Sequence, residues 1–336
     1  MRFYGVADLR LESVRLPDLG PGEVVVEVEA CGVCGSDLHF LDGTARTGRI
    51  PVTLGHEIGG VVIASRHESW DEGAPVAVVA GITDGACRAC LDDRGSLCER
   101  LRMVGIDLDG GLAERIVLPG SALISRPPGL DVAAAAVAVD AGATAYHAVA
   151  CRAGVREGDS VLILGAGGLG SFAIELAKLF GAAPVIAADR DPSALERASK
   201  LGADETILVE PGQSLGRAVK SMTDGGVDVA LEFVGRAATV DATVKSLRPG
   251  GAAIVAGIGR EPLTTIPPVL WASHEYALVG SFGSHRRDAQ RILELLADGA
   301  VQGPPIEIVA FEDARRRILA AASGKRPPAG RMVVVP

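Results

Sequence analysis

Hydrophobic and polar positions follow two periods along this chain, and one gives way to the other near its middle. Residues 9–30 read as strand, turn and strand around Pro21-Gly22, with EVVVEVEA at 23–30 alternating partly at period two. Short apolar runs at 61–64 and 76–80 are further β-type stretches separated by Gly and Pro turns. The chain up to about residue 130 is therefore expected to be β-rich. From Asp159 to about Gly283 the pattern changes. Apolar strand-like runs at 161–164, 185–188, 227–231 and 252–257 alternate with helical stretches such as 169–180 and 192–201. That alternation predicts βαβ units on a parallel sheet. Beyond Gly283, residues 288–299 carry the period of an amphipathic helix, 331–335 reads as a closing strand, and Pro327-Pro328 reads as a turn. No internal repeat or low-complexity linker interrupts this order.

Composition narrows the picture. With 336 residues the chain has room for two domains of ordinary size. Aromatics are only 4% of it and glycines number 43, which suits closely packed α/β layers with many tight turns. A net charge of −9 argues against nucleic acid or an anionic membrane as a partner. The opening MRFYGVADLR has no apolar leader, and Asp140 interrupts the Ala-rich run at 132–151, so a soluble, cytoplasmic protein is expected. In a reducing compartment, six cysteines are more readily metal ligands than disulfides.

Candidate chemistry starts with a glycine loop. The strand-like VLIL at 161–164 runs directly into Gly165-Ala-Gly167-Gly168-Leu169-Gly170, and a helical stretch follows. Gly165 permits the tight turn, Gly167 lets the backbone approach a pyrophosphate, and Gly170 lets helix pack on strand. The helix N-terminus then offers free N–H groups to phosphates. Asp189, at the end of the next strand, stands where an acid hydrogen-bonds a ribose diol, which favours NAD over NADP. Arg190 beside it is able to pair with a 2′-phosphate, which weakens that preference.

Metal-ligand residue types fall into two groups. Asp84, Cys87, Cys90 and Cys98 lie in one short Gly/Asp-rich segment, the compact four-ligand spacing that a structural zinc takes. Cys34, His56 and Asp140 are scattered, and spacing alone does not make them a site. The Cys31-Gly-Val-Cys34 pair is open to three readings: a redox couple, half of a zinc site, or two buried thiols. Cys31 and Cys151 are expected to be small buried thiols. His67, His274 and His285 are expected to be solvated or packed, and Arg315–Arg317 to form a helix face in water.

The motifs together make the chain resemble the zinc-containing medium-chain alcohol dehydrogenase family over nearly its full length. They are Cys34-Gly-Ser-Asp-Leu-His39, Gly55-His56-Glu57-Ile-Gly-Gly60, the cysteine lobe, Gly-Ala-Thr-Ala-Tyr-His147, the Gly165–Gly170 loop and the ending Gly330-Arg331-Met-Val. The resemblance implies a GroES-like β-rich catalytic domain (1–141 and 284–336) and a Rossmann doubly wound cofactor domain (142–283), with the active site in the cleft that separates them. It implies Cys34, His56 and Asp140 as ligands of a catalytic zinc, Glu57 as an acid beside the metal, and Asp37 as the carboxylate that orients His56. Ser36 and His39 would be the proton relay. Thr144, Gly257, Ile258, Phe282 and Arg331 match positions around the nicotinamide and pyrophosphate. Asp84 stands where the family's lobe more often has cysteine, and an oxygen ligand is compatible with zinc. The start of the chain is trimmed relative to the family, and GAPV at 73–76 replaces a commoner turn.

This set of residues suits alcohol oxidation. A Lewis-acidic zinc can lower the pKa of a bound oxygen to about 7. One thiolate, one carboxylate and one neutral imidazole would leave the zinc site formally neutral. An imidazole exchanges protons near neutral pH, which fits His39 as the exit. The expectation is an NAD- and zinc-dependent oxidoreductase that interconverts a bulky primary or secondary alcohol with its aldehyde or ketone, and Ala80 and Gly81, small beside Asp84, are the reason for expecting a roomy pocket. The alternatives are a polyol or sugar dehydrogenase and a non-catalytic nucleotide-binding relative. The resemblance also implies a homodimer or homotetramer.

Overall fold

The computed structural model describes residues 1–263, 266–324 and 330–336, so the Pro327-Pro328 turn lies outside the described residues. The chain divides into two compact units: residues 1–143, 284–298 and 305–336 form the first, and residues 144–283 and 299–304 the second.

The first unit is built on a seven-stranded sheet. Its strands begin with β1 (Glu23–Gly32), β2 (Glu57–Ser65), β3 (Pro75–Val78), β4 (Arg115–Pro119) and β5 (Leu123–Ser125). Strand β1 alternates buried valines at 24, 26 and 28 with less buried positions, so one face enters the core. It pairs antiparallel with both β2 and β4. Two breaks in the β1–β2 register bend the ribbon before it reaches Gly32 and Glu57. Helix α1 (Gly35–Leu41) follows β1 directly. The apolar helical run 132–153 is long enough to cross a membrane by length and composition, but its most apolar stretch is largely buried, as in a core helix.

The second unit is a six-stranded parallel sheet: β6 (Val161–Leu164), β7 (Val185–Asp189), β8 (Glu205–Leu208), β9 (Val227–Glu232), β10 (Leu247–Val255) and β11 (Ala277–Gly280). Their spatial order is β8-β7-β6-β9-β10-β11, the doubly wound arrangement with its switch between β6 and β9. Strand β6 is buried on both faces, which is why its sequence is unbroken VLIL. Helices α2 (Gly168–Leu179), α3 (Pro192–Lys200), α4 (Leu215–Met222) and α5 (Ala237–Lys245) make the crossovers.

The chain then returns to the first unit through α6 (Arg286–Ala297), β12 (Ile306–Ala310), α7 (Phe311–Ala322) and β13 (Arg331–Val335). Strand β13 closes the sheet by pairing antiparallel with β1 and parallel with β12. Two sequence expectations need correction. Cys151 is exposed, because it lies on the outer side of a π-helical segment, His147–Ala153. Arg315–Arg317 is not a wholly solvated face: Arg315 donates to the Leu9 carbonyl at 2.6 Å, and Arg317 pairs with Glu307 at 2.5 Å.

Candidate metal centres and dinucleotide loop

Four chain segments of the first unit converge on one spot. Cys34 is the N-cap of α1, and its backbone N–H donates to Asp37 Oδ2 at 2.9 Å. His56 and Glu57 stand at the start of β2, Asp140 on the helical run, and Arg331 at the start of β13. The donor atoms of Cys34, His56, Glu57 and Asp140 lie within 4.8 Å of one another. Cys34 Sγ is 3.5 Å and His56 Nε2 3.6 Å from Asp140 Oδ2. Zinc bonds of about 2.0–2.3 Å at tetrahedral angles place ligand atoms roughly 3.3–3.8 Å apart, so these three donors fit a shared zinc. Ser36 Oγ is 3.8 Å from the Cys34 sulfur.

Charged neighbours hold these donors in place. Asp37 is fully buried, accepts from Gly55 N–H at 3.3 Å, and faces His56 Nδ1 at 3.8 Å through the same oxygen. It thereby turns Nε2 toward Cys34 and Asp140. Burial disfavours the His56 cation, yet Asp37, Asp140 and Cys34 outweigh it and raise its pKa well above the ordinary value. A metal cation at the same spot would meet the same negative field. Burial works to raise Asp140, but His56 and Arg331 overcome it and bring the carboxyl down to about 2. Glu57 goes the other way: burial lifts it to about 7, against the pull of Arg331. Arg331 donates to Glu57 Oε1, both side chains being buried, while Glu57 Oε2 has no hydrogen-bond partner. That buried carboxylate lies among the donors of Cys34, His56 and Asp140 and suits a cation held there. A Cβ on Gly32 would lie 2.0 Å from Glu57 Oε2, so only glycine fits opposite this carboxylate.

The cysteine lobe also closes on itself. Asp84, Cys87, Cys90 and Cys98 bring their donor atoms within 4.8 Å. Cys87 and Cys90 sulfurs are 3.5 Å apart, and Cys90 Sγ is 3.3 Å from Asp84 Oδ1. Asp84 Oδ1 accepts from the Ala86 and Cys87 N–H groups, and its Oδ2 accepts from Arg100 Nε at 2.7 Å. Those bonds hold the Asp84 carboxyl far below the usual range. Three sulfurs and one fixed carboxylate oxygen fit a closed tetrahedral zinc.

In the second unit the glycine loop joins β6 to α2. Gly165 has φ +98°, a conformation glycine adopts without strain, and a Cβ on Gly170 would lie 2.0 Å from the Gly165 carbonyl. Nothing lies within 4 Å of a Cβ position on Gly167, which is the N-cap of α2. Asp189 ends β7 and accepts from Ala166 N–H at 2.8 Å, which ties the ribose candidate to the loop, and Arg190 beside it is exposed. Gly168 and Leu169 open α2. Thr144 is buried, whereas Ile258 and Phe282 are 71% and 49% exposed. Arg331 belongs to the first unit, where Glu57 holds it. Sequence reasoning missed Glu232, a fully buried carboxylate at the end of β9. It accepts from Val234 and Gly235 N–H and from Thr239 Oγ1, while its carbonyl accepts from Ala256 and Gly257 N–H. It joins the two loops at the carboxyl edge of the sheet, and the only signal was an acid ending an apolar run.

Comparison with known proteins agrees with this architecture. Residues 20–128 match the family model of an alcohol dehydrogenase GroES-like domain, and residues 168–298 that of a zinc-binding dehydrogenase. The chain is 31% identical to sorbitol dehydrogenase of Bacillus subtilis (strain 168) over 306 residues, covering 89% of this chain and 85% of that one. It is 29% identical to an NAD-dependent alcohol dehydrogenase of Sulfolobus acidocaldarius over 328 residues, 94% of each. Among solved structures, a zinc-binding dehydrogenase of Sinorhizobium meliloti 1021 bound to NADP aligns with TM-score 0.88 and 31% identity, covering all of this chain and 98% of that one.

Proposed function

Because the chain belongs to the zinc-containing medium-chain alcohol dehydrogenase family, we propose that it interconverts an alcohol or polyol with its aldehyde or ketone, using NAD and a zinc held by Cys34, His56 and Asp140. The observation that carries this reading is the convergence of those three donors at zinc-ligand separations beside the buried Glu57–Arg331 pair. When bound, zinc supplies Lewis acidity toward the alcohol oxygen and the nicotinamide accepts the hydride. The remaining work falls to this chain's residues. Two anionic donors and a neutral imidazole balance a dication, and Asp37 fixes which imidazole nitrogen faces it. Ser36, next to Cys34, would accept a hydrogen bond from the hydroxyl and give up its own proton as it receives the new one, and the exposed His39 would pass the relayed proton to solvent. Glu57, held by Arg331, keeps a carboxylate against the donor set. Asp189 accepts from the ribose diol, and the Gly165–Gly170 loop with the start of α2 receives the pyrophosphate.

Substrate breadth follows from small residues. Ala80 and Gly81 support a preference for bulky or aryl alcohols over ethanol, and a strong ethanol preference would remove that part of the reading. The similarity to sorbitol dehydrogenase favours a polyol as the second substrate class. In the cell the chain would be a cytoplasmic homodimer or homotetramer. The test is substitution of the donors. Cys34→Ala and Asp140→Ala should each abolish turnover while NADH binding, followed by its fluorescence, persists. Undiminished turnover in either variant would refute the assignment.

A further inference from the structure

We infer that Thr44 and Asp42 fix the His39 ring so that Nε2, not Nδ1, takes up and releases the proton; this rests on the Ser36–His39 relay proposed above. Helix α1 ends at Leu41, Asp42 caps it, and Gly43 with φ +83° reverses the chain. The Ala45 N–H then donates to the His39 carbonyl at 2.8 Å, which folds Thr44 back over the imidazole. Thr44 Oγ1 lies 2.5 Å from Asp42 Oδ1 and 2.9 Å from His39 Nδ1, and Asp42 Oδ2 is 3.5 Å from the same nitrogen.

Hydrogen-bond inventory decides the direction. An ionised carboxylate only accepts, and a threonine hydroxyl has a single proton to give. The shorter contact is to Asp42, so the Thr44 proton goes there, and Thr44 Oγ1 accepts from His39 Nδ1–H. A further contact from Thr44 Oγ1 to the His39 carbonyl, at 3.4 Å, is longer and does not compete. A neutral imidazole protonated at Nδ1 carries its lone pair on Nε2. In the forward reaction the relayed hydroxyl proton forms the Nε2–H bond, and the imidazolium keeps Nδ1–H on Thr44 with the Asp42 charge beside it. Water then removes the Nε2 proton and restores the starting ring. Thr44 and Asp42 touch neither alcohol nor cofactor in this scheme and act only through His39.

The ring tautomer can be read without turnover. In 15N-labelled protein, two-bond 1H–15N correlation of the imidazoles distinguishes a pyrrole-type nitrogen from a pyridine-type one, with His39→Gln assigning the signal. The expected result is Nδ1–H with a pyridine-type Nε2 in the wild type. Thr44→Val should lose that preference and Thr44→Ser should keep it. Turnover should fall about tenfold in Thr44→Val and recover in Thr44→Ser, with the KM for NAD little changed. Nε2–H as the dominant tautomer in the wild type, or a Thr44→Val ring unchanged, would overturn the inference. Full turnover in His39→Gln would remove the relay itself, whatever the tautomer, so the two failures are distinguishable.

Discussion

Asp37 holds much of the first centre although no ligand set includes it. One oxygen fixes the Cys34 backbone and the other meets Gly55 N–H and faces His56, so two candidate ligands depend on one buried carboxylate. Replacing it with Asn should keep the fold but weaken zinc binding about 10–100-fold, measured by competition with a chromophoric chelator; affinity equal to the wild type would contradict this role. The Glu57–Arg331 pair carries a stability prediction. Arg331→Met leaves Glu57 buried without its cation and should cost roughly 3–5 kcal/mol in a denaturant titration. An unshifted midpoint would show that the pair is dispensable. At this scale the sequence was half legible. The family resemblance pointed to Cys34 and His56 through the short strings that hold them, and to Asp140 just ahead of Gly-Ala-Thr-Ala-Tyr-His147. The Glu57–Arg331 contact spans 274 positions and has no local signal, and the need for glycine at 32 shows only once β1 and β2 are paired.

Among elements, the cysteine lobe makes the sharpest claim. Its four donors sit on a segment with little regular structure, whose conformation depends on whatever ties them together. Elemental analysis should find two zinc ions per chain. Asp84→Ala should retain one and lower the melting temperature, and one zinc in the wild type would refute the second site. The start of β7 offers a pH test. Asp204 accepts from Val185 N–H at 2.7 Å and from Lys178 Nζ at 2.9 Å. Burial works to raise its pKa, but those bonds prevail and lower it. The stabilisation is therefore present above the unfolded-state pKa of about 3.9 and is lost as pH falls through the lower folded value. Because Asp204 is 40% exposed the effect is small, under about 1 kcal/mol. Asp204→Asn should lose stability at neutral pH and flatten the acid limb of the stability curve; an unchanged limb would contradict it. Regular elements were the most readable part of the chain, since period and length mark VLIL at 161–164 and its neighbours. Strand β10 begins at Leu247, earlier than the expected run at 252–257, because Pro249-Gly250-Gly251 looks like a turn although Leu247 already pairs with Val227. Helix α7 showed only as an arginine run, and the run does not announce that Arg315 donates to the Leu9 carbonyl or that Arg317 pairs with Glu307.

For the whole molecule, a β-rich unit at the start of the chain and a parallel-sheet unit in its middle follow from the change of period near residue 159. The return of the C-terminal segment to the first unit was not readable from pattern, because β13 has its partners in β1 and β12 rather than in nearby sequence. The choice of cofactor also belongs to this scale. Asp189 favours NAD, while Arg190 and an NADP-bound relative keep the phosphorylated form worth measuring beside it. The most direct test of the account is NADH formation at 340 nm over a panel of aryl, aliphatic and polyol substrates. It should be run on the purified chain as isolated, after zinc removal by chelation, and after zinc is restored, with NADP in parallel. The account predicts oxidation of at least one alcohol or polyol with NAD, loss of activity with zinc and recovery on its return. Turnover that survives complete zinc removal, or no reduction of either cofactor by any substrate in a zinc-replete protein, would contradict it.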